Sequence, residues 1–538
     1  MKLGAHYLLT ILWWQVVGGS PLQAEGSAKA CKKTKVAVLG AGMAGIAAGS
    51  ALHNASIDDF IIVEYNSDVG GRVAHTNFGK KSNGSPYTVE LGANWVQGTV
   101  TEGGPENPIW TFAKKYKLQN TYSNYSSIQT FTDKGAVDYS DLLDLYEGDT
   151  YSTLEQDAGY ILTQNLQDRS YRTGLNIAGW QATDAMRKAV EWWEFDWEYA
   201  YSPDLSSHEF AIVNYNTSFY QWSEDNNYVF DPRGYSAFIK GIASMYLKPN
   251  DPRLLLNKHI TNIAYNNDGV TVYDSDGSCI QADYAITTFS LGVLQNATAN
   301  TADHPTFVKF TPRLPDWKRT ALQSMQMATY TKIFLQFPAD KVFWDKNTQF
   351  FLYADPTTRG YYPIFQSLDG PGFLPGSGIL FVTVVQDQAA IVAAQTDEET
   401  KQQVLAVLRK MYGANKVPQP IDFLMPRWAQ IEWAKGSYSN WPPGLTLEMH
   451  QNIRANVGAL WFAGEHTHPE YYGFLQGAWY EGQRVANDIA ALVKKAGATS
   501  GGGGGETHYS VLHGTTNLSE YAERNGWEVS SFLTYGDV

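Results

Sequence analysis

The sequence predicts an α/β fold with α+β character, in which a parallel βαβ domain is interleaved with a second domain of mixed sheet and helices. Three observations predict it. An apolar run at 36–39 enters a glycine-rich turn and a helix, a second apolar run at 459–463 enters another turn and helix, and short β-rich runs lie between them. Because 538 residues, 43% of them hydrophobic, exceed one typical core, we expect two domains.

The first element is a glycine fingerprint with a distal acid. Gly40 gives a tight turn, Gly42 lets the backbone approach a pyrophosphate, and Gly45 lets the following helix lie close to the sheet. Glu64 closes the next apolar strand about 20 residues further on, where a carboxylate reaches the ribose of an adenosine half. The pattern predicts a bound dinucleotide and a Rossmann-like domain. It disfavours NADP but does not separate NAD from FAD.

Later elements predict a discontinuous arrangement. The capping box Thr396-x-x-Glu399 predicts a structural helix that ends near Met411. A β-meander that joins the first sheet is predicted from the β-rich runs 269–273, 274–277 and 282–286. We expect the first domain to comprise 33–115, 235–305 and 445–494, the second 116–234 and 306–444, and a Gly-rich linker with a flexible tail 495–538.

Charge and targeting signals limit the expected partners. The net charge is −14 and no long basic run occurs, so we expect no nucleic acid, whereas a polycationic substrate would be attracted. Residues 1–24 are typical of a cleaved export signal, which predicts a secreted protein without a stable membrane anchor. The sequence leaves the oligomeric state open, with a monomer as the default. Glycosylation is predicted from sequons at Asn54, Asn83, Asn124, Asn216, Asn296 and Asn517.

Two cysteines, Cys31 and Cys279, allow at most one intramolecular disulfide. The sequence alone leaves their pairing open.

Seven ordered blocks together are specific for one family. Over roughly residues 33–494 the chain resembles the flavin-containing amine oxidases, and within them the polyamine oxidases. The resemblance implies FAD as the cofactor, with Rossmann-like binding. The blocks are the glycine fingerprint and the segments 70–72, 90–96, 330–335, 426–428, 436–442 and 464–467.

The resemblance also implies how FAD is held. Glu64 would bind the ribose, Ile260 would meet the adenine side, and Arg72 and Glu465 would line the cleft. Ser437 stands where monoamine oxidases carry the Cys that bonds the flavin, so we expect non-covalent FAD. The expected cofactor contacts are Gly40, Gly42, Gly45, Glu64, Gly71, Arg72, Trp95, Ile260, Trp428 and Glu465.

Lys332 is the expected catalytic residue. Strand alternation alone favours an edge lysine that snorkels, but the resemblance implies a buried lysine that reaches the flavin N5 through water. Tyr438 and Phe474 match the two rings that flank the substrate nitrogen, and Tyr330 is expected beside them. Among relatives Tyr is common at the position of Phe474, so the hydroxyl is lost here.

Glu198 is expected, by resemblance, to be the acid of a substrate tunnel. Composition alone would make Glu191, Glu194 and Glu198 a solvated flank of an apolar helix face that runs from Met186 to Trp197. Gln97 stands where relatives carry Glu or His, and it brings no charge. The segment after Ala93 lacks the Arg that would bind the carboxylate of an amino acid.

The expected activity is FAD-dependent oxidation of polyamines such as spermine, spermidine or their acetylated forms, with O2 as the electron acceptor. Hydrogen peroxide, an aldehyde and an amine would be the products, and no metal is expected. Two alternatives remain open: a flavin oxidase of another primary or secondary amine, and a secreted flavoprotein that binds amines without turnover.

Overall fold

The computed structural model describes residues 30–101, 103–164, 166–220, 222–299, 308–496, 508–510 and 512. The predicted export signal, the sequon at Asn517 and the glycine run 501–505 lie outside these residues. Two large sheets, one with eight strands and one with seven, organise the described chain. We call them the first and the second sheet.

The centre of the first sheet is parallel. Lys32–Leu39 pairs with Phe60–Val63 on one side and with Cys279–Thr287 on the other. The long strand Cys279–Thr287 pairs through its first half with Val270–Asp274 and through its second half with Leu460–Phe462. The remaining strands are Leu254–Leu255, Ile260–Tyr265 and Lys309–Thr311. The carboxyl ends of the parallel strands thus meet at one edge, where ligands of such sheets bind.

The predicted meander is confirmed, with one correction. Ile260–Tyr265, Val270–Asp274 and Cys279–Thr287 pair antiparallel in sequence order. The run 274–277 was predicted as β-rich, but residues 275–277 form the turn between two of these strands. Asp274 accepts a hydrogen bond from the Asp276 amide through its side chain, and Gly277 has a φ of 78°. Both features favour a turn over a strand.

The second sheet is mostly antiparallel and carries Lys332. Tyr330–Gln336 lies between Ile379–Val385 and Asp422–Leu424. Its other strands are Ile364–Ser367, Phe350–Ala354, Ile128–Thr132 and Gly135–Ala136. Smaller sheets join His75–Phe78 to Tyr87–Glu90, Trp95–Gln97 to Asn226–Val229 and Asn120–Tyr122, and Gln326–Met327 to Ser439–Asn440.

Helices pack around both sheets. Met43–Asn54 packs against the long helix Leu475–Ala496 beside the first sheet. The predicted helix with the capping box is confirmed as Asp397–Tyr412, because Thr396 and Glu399 exchange the expected hydrogen bonds. No helix of the described ranges is long and apolar enough to cross a bilayer. The other α-helices are Pro108–Lys115, Ser140–Leu145, Tyr151–Thr163, Tyr171–Ile177, Ala185–Glu191, Trp197–Tyr199, His208–Tyr215, Ala237–Ala243, Leu291–Thr298, Asp316–Ser324, Gln386–Ala394 and Leu447–Arg454.

Composition alone predicted a solvated flank for the acidic helix segment, but the segment lies in the interior. Ala185–Glu191 continues into a π-helical turn, Trp192–Asp196, before the short helix that carries Glu198. Glu191 is fully buried, and two guanidinium groups neutralise the charge of its carboxylate. Arg172 donates two hydrogen bonds of 2.6 Å to it, and Arg359 lies at 2.8 Å. Buried charges are stable only with such partners.

Cys31 and Cys279 form a disulfide, with their Cα atoms 4.6 Å apart. The strand register explains it, since Lys32 lies opposite Ile280 in the first sheet.

Part of the tail, predicted to be flexible, contacts the folded chain. Asn452 donates a hydrogen bond to the Tyr509 carbonyl and accepts one from the Tyr509 amide, at 2.9 and 2.7 Å. The ring of His508 stacks on Trp317 with centroids 4.4 Å apart.

Candidate active site

A cavity of about 420 Å³ lies where the carboxyl edge of the first sheet faces the second sheet. It receives the loops after three parallel strands of the first sheet and the start of Tyr330–Gln336 from the second. Of the residues predicted for the site, Gly45 alone does not line it. Those that line it are Gly40, Gly42, Glu64, Gly71, Arg72, Trp95, Gln97, Glu198, Ile260, Tyr330, Lys332, Trp428, Tyr438, Glu465 and Phe474.

Two glycines of the turn have different surroundings: Gly45 is tightly packed, whereas Gly42 faces open space. A Cβ on Gly45 would lie 1.9 Å from the Gly40 carbonyl oxygen, so Gly45 serves the close crossing of helix and strand. A Cβ on Gly42 would meet only the Gly71 Cα, at 3.9 Å. Since Gly42 also lines the cavity and precedes the helix Met43–Asn54, there is room for a phosphate at a helix N-terminus.

Glu64 lies at the same end of the cavity. Its carboxylate accepts hydrogen bonds from the Ala41 amide at 2.7 Å and from the Asn66 amide at 2.9 Å. Burial raises the pKa of Glu64, and these hydrogen bonds oppose the shift. Nearby, the rings of Tyr65 and His259 stack with centroids 4.1 Å apart and also line the cavity. Sequence reasoning did not identify this pair, because stacking between distant residues leaves no local pattern.

Arg72 and Glu465 tie two segments together across the cavity wall. The Arg72 guanidinium donates to Glu465 Oε1 and to the Ser437 carbonyl, both at 2.8 Å. The other Glu465 oxygen accepts the Gly473 amide at 2.8 Å. Burial raises the pKa of Glu465, but the charges of Arg72 and His466 and the hydrogen bonds from Ser439 and Arg72 together outweigh burial, so the pKa lies below its usual value. Arg72 is the one arginine among the described lining residues, and it is already paired.

Lys332 points from the second sheet into the segment that follows Tyr87–Glu90. Its Nζ donates to the carbonyl of Glu90 at 3.3 Å, to the carbonyl of Gly92 and to Oδ1 of Asn94. The Trp95 ring lies 5.3 Å from Nζ. Burial lowers the pKa of Lys332 to about 7, although the charge of Glu90 acts in the other direction. The amine can therefore change its protonation state near neutral pH.

Aromatic side chains form the wall beyond Lys332. The rings of Tyr330 and Tyr438 lie 6.0 Å apart, and Phe474 is buried beside the same cavity. The Tyr438 hydroxyl donates to the Glu198 carbonyl at 2.7 Å, which fixes the orientation of its ring. Trp428 is held by a 3.2 Å hydrogen bond from its indole nitrogen to the Leu91 carbonyl.

Glu198 and Gln97 meet at the aromatic end. The Gln97 amide donates a 2.9 Å hydrogen bond to Glu198 Oε1. Burial raises the pKa of Glu198 to about 7, and the hydrogen bond from Gln97 opposes that shift. Tyr125 lines the cavity near Glu198 and was not predicted, because it lies in a polar loop without periodicity. This end suits a cationic ligand with an apolar chain.

The comparisons with known proteins agree with this geometry. A model of flavin containing amine oxidoreductases matches residues 43–490. Polyamine oxidase 1 of Zea mays is 35% identical over 495 residues, which cover 88% of this chain and 94% of that protein. Polyamine oxidase 7 of Oryza sativa subsp. japonica is 34% identical over 476 residues, 84% of this chain and 93% of that protein.

Solved structures share the fold at lower identity. Putrescine oxidase bound to putrescine has a TM-score of 0.66 and 18% identity, covering 86% of this chain and 100% of that one. Cyclohexylamine oxidase from Brevibacterium oxydans IH-35A has a TM-score of 0.64 and 18% identity, with 86% and 99% covered. The family match, the identity and the shared fold lead to one conclusion: this chain belongs to the flavin-containing amine oxidoreductases, and FAD is its cofactor.

Proposed function

We propose that this protein is a secreted oxidase of polyamines such as spermine or spermidine. One observation carries the proposal: a single cavity joins a dinucleotide-binding turn to an aromatic wall that ends in a carboxylate, Glu198. A carboxylate in an aromatic, partly desolvated site attracts a cationic amine. The relatives named as polyamine oxidases support the same substrate class.

The residues at the glycine end fit FAD held without a covalent bond. Gly42 leaves space for the diphosphate, Glu64 faces the ribose position, and Arg72 brings a cation. Ser437 has no thiol, and its Oγ both donates to the Tyr330 carbonyl and accepts the Tyr330 amide. When bound, FAD accepts a hydride from the carbon next to the amine nitrogen and passes the electrons to O2.

The chain itself contributes binding, orientation and proton control. Glu198 holds a charged nitrogen of the substrate, and Tyr330, Tyr438 and Phe474 confine its carbon chain. Lys332 Nζ takes up or releases a proton near neutral pH, within reach of water in the cavity. The amine to be oxidised must be neutral before hydride can leave, so we expect activity to rise from acidic toward neutral or mildly alkaline pH.

Anaerobic mixing with spermine tests the proposal. We expect the flavin absorbance to bleach and, after air is admitted, hydrogen peroxide to appear with an aldehyde. Bleaching with simple monoamines but not with spermine, spermidine or acetylated polyamines would assign another amine substrate. Flavin that stays oxidised with every amine would support a binding protein without turnover.

Gly42→Ala is expected to lose FAD while the polypeptide still folds. The added methyl meets no protein atom closer than 3.9 Å, but it projects where a diphosphate would approach. Flavin per polypeptide after purification should fall about tenfold or more. Gly45→Ala is the matched control, because its methyl would lie 1.9 Å from a carbonyl oxygen and should destabilise the fold itself. Full flavin content in Gly42→Ala would contradict the assigned cofactor position.

The disulfide supports the proposed secretion, since such bonds persist in oxidising compartments. Asn216 is buried and bonded to Tyr151 and Glu155, so we do not propose it as a glycan site. We expect the protein to enter the medium of a eukaryotic host and to lose mass on treatment with an N-glycosidase. Retention inside the cell without glycan would contradict both proposals.

A further inference from the structure

The surroundings of Lys332 are polar but carry no direct counter-ion. All three acceptors of its amine are uncharged, namely two main-chain carbonyls and the amide oxygen of Asn94. An ammonium has three N–H donors, so these acceptors satisfy the charged form completely. Within the described chain, no carboxylate forms an ion pair with this amine. Its charge state must therefore be set by something less direct than a salt bridge.

Glu90 is the carboxyl group that acts on the amine from slightly further away. Its own carbonyl binds Lys332, while its side chain is buried and accepts the Tyr235 amide at 2.7 Å through Oε1. Its Oε2 has no hydrogen-bond partner among the described residues. The other titratable groups facing Glu90 are Asp231, Tyr228 and Tyr235, together with His75 opposite it in the strand pair. The one cation whose charge acts on the Glu90 carboxyl is Lys332.

The Asn94 side chain can form a hydrogen bond with either the charged or the neutral form of the Lys332 amine. Its Oδ1 accepts from Lys332, and its Nδ2 is buried without a partner in the described structure. A neutral amine offers a lone pair, which an amide turned by half a rotation could satisfy with an N–H of Nδ2. A side chain that only accepts hydrogen bonds, such as a carboxylate, would favour only the charged amine. Asn94 also lines the cavity, so the exchange would take place at its wall.

We propose that Glu90 and Asn94 are positioning residues that together set when Lys332 Nζ carries its proton. Glu90 supplies the counter-charge for the ammonium, and Asn94 accommodates the amine with or without it. That this proton takes part in amine oxidation rests on the proposed function. Burial raises the pKa of Glu90 and lowers that of Lys332, and the charge of each group opposes the shift of the other. Such a pair titrates as a unit around neutral pH.

Two substitutions that hardly change side-chain size should shift the pKa of Lys332 in opposite directions. Glu90→Gln removes the counter-charge, so the ammonium loses stabilisation and the amine becomes neutral at lower pH. Asn94→Asp places a carboxylate against Nζ, so the ammonium persists to higher pH. Glu209→Gln is the control, because Glu209 is another buried carboxyl with a raised pKa that lies outside the cavity.

Competitive labelling of the holoenzyme with trace acetic anhydride measures the neutral amine directly. Near pH 7, as the Glu90 carboxyl begins to ionise, we expect the Lys332 peptide of Glu90→Gln to be labelled up to about twofold faster than in the wild type. Asn94→Asp should be labelled more slowly, and Glu209→Gln should match the wild type. The pH profile of turnover with spermine should shift in the same opposite directions.

The outcomes separate the two proposals. Absence of turnover with every amine would overturn the proposed function, whereas the labelling would still test the role of Glu90 and Asn94. Equal labelling and equal pH profiles in the wild type and both variants would overturn that role. Shifts in the same direction in both variants would also overturn it, because a general loss of packing, rather than charge, would then be the cause.

Discussion

Lys332→Met is expected to keep its FAD and to turn over spermine at least about 100-fold more slowly than the wild type. Met fills most of the same volume, so the buried strand that carries it can retain its packing. It cannot hold a proton or a hydrogen bond at the position of Nζ. Separate measurement of anaerobic bleaching and of the reaction of the bleached enzyme with O2 will show which half of the cycle needs the amine. Unchanged rates in both halves would remove Lys332 from the mechanism.

Lys318→Met provides a matched control for the cost of removing a buried lysine. Lys318 is also fully buried and donates to main-chain carbonyls, those of Asn452, Ile453 and Ala455, but it does not line the cavity. Both variants leave carbonyl groups without a donor, so both should unfold at lower temperature. Only Lys332→Met should lose turnover per bound flavin. Equal losses of turnover would assign the effect to stability rather than to chemistry.

The parts of the fold that follow from local patterns were predictable. The turn at Gly40, the capping box at Thr396 and the meander each depend on residues within one short segment. The π-helical turn Trp192–Asp196 was not predictable, because one shifted hydrogen bond leaves the apolar spacing nearly unchanged. The burial of Glu191 depends on Arg359, which lies far away in sequence and meets it only in the folded chain.

The candidate site shows the same division. The family resemblance brought together Lys332, Tyr438 and Glu198, and all three line one cavity. The family blocks did not reveal the roles of Glu90 and Asn94, although both residues lie in the block 90–96. Their importance comes from which atoms of Lys332 they contact across two sheets, and that is a property of tertiary structure.

The charge of Glu198 is expected to determine selection for polyamines over simple monoamines. In Glu198→Gln the KM for spermine should rise roughly 10- to 100-fold, since a charge-assisted contact to the substrate is lost. The value of kcat should change little, because Glu198 lies at the aromatic end rather than beside Lys332. For a short monoamine that does not reach Glu198, the KM should stay near that of the wild type. Steady-state peroxide formation with both substrates measures the difference.

Glu194→Gln is the matched control, because Glu194 lies one turn earlier on the same segment and does not line the cavity. It should leave both KM values unchanged. An equal rise of KM in the two variants would show that disturbance of the helical segment, not charge, affects binding.

The pH dependence supplies an independent check on Glu198. Burial raises its pKa to about 7, so in the wild type the carboxylate forms, and binding of a cationic amine strengthens, as the pH rises through 7. A raised pKa in the folded state also means that the protein loses part of its stability as the pH rises from the usual range of a glutamate to about 7. Glu198→Gln has no such ionisation. Its KM should therefore be less dependent on pH, and its unfolding temperature relative to the wild type should be higher at about pH 8 than at about pH 5. A difference in unfolding temperature that is constant across this range would mean that Glu198 ionises in the folded protein as readily as in water, and that its charge is present on the substrate side even in acid.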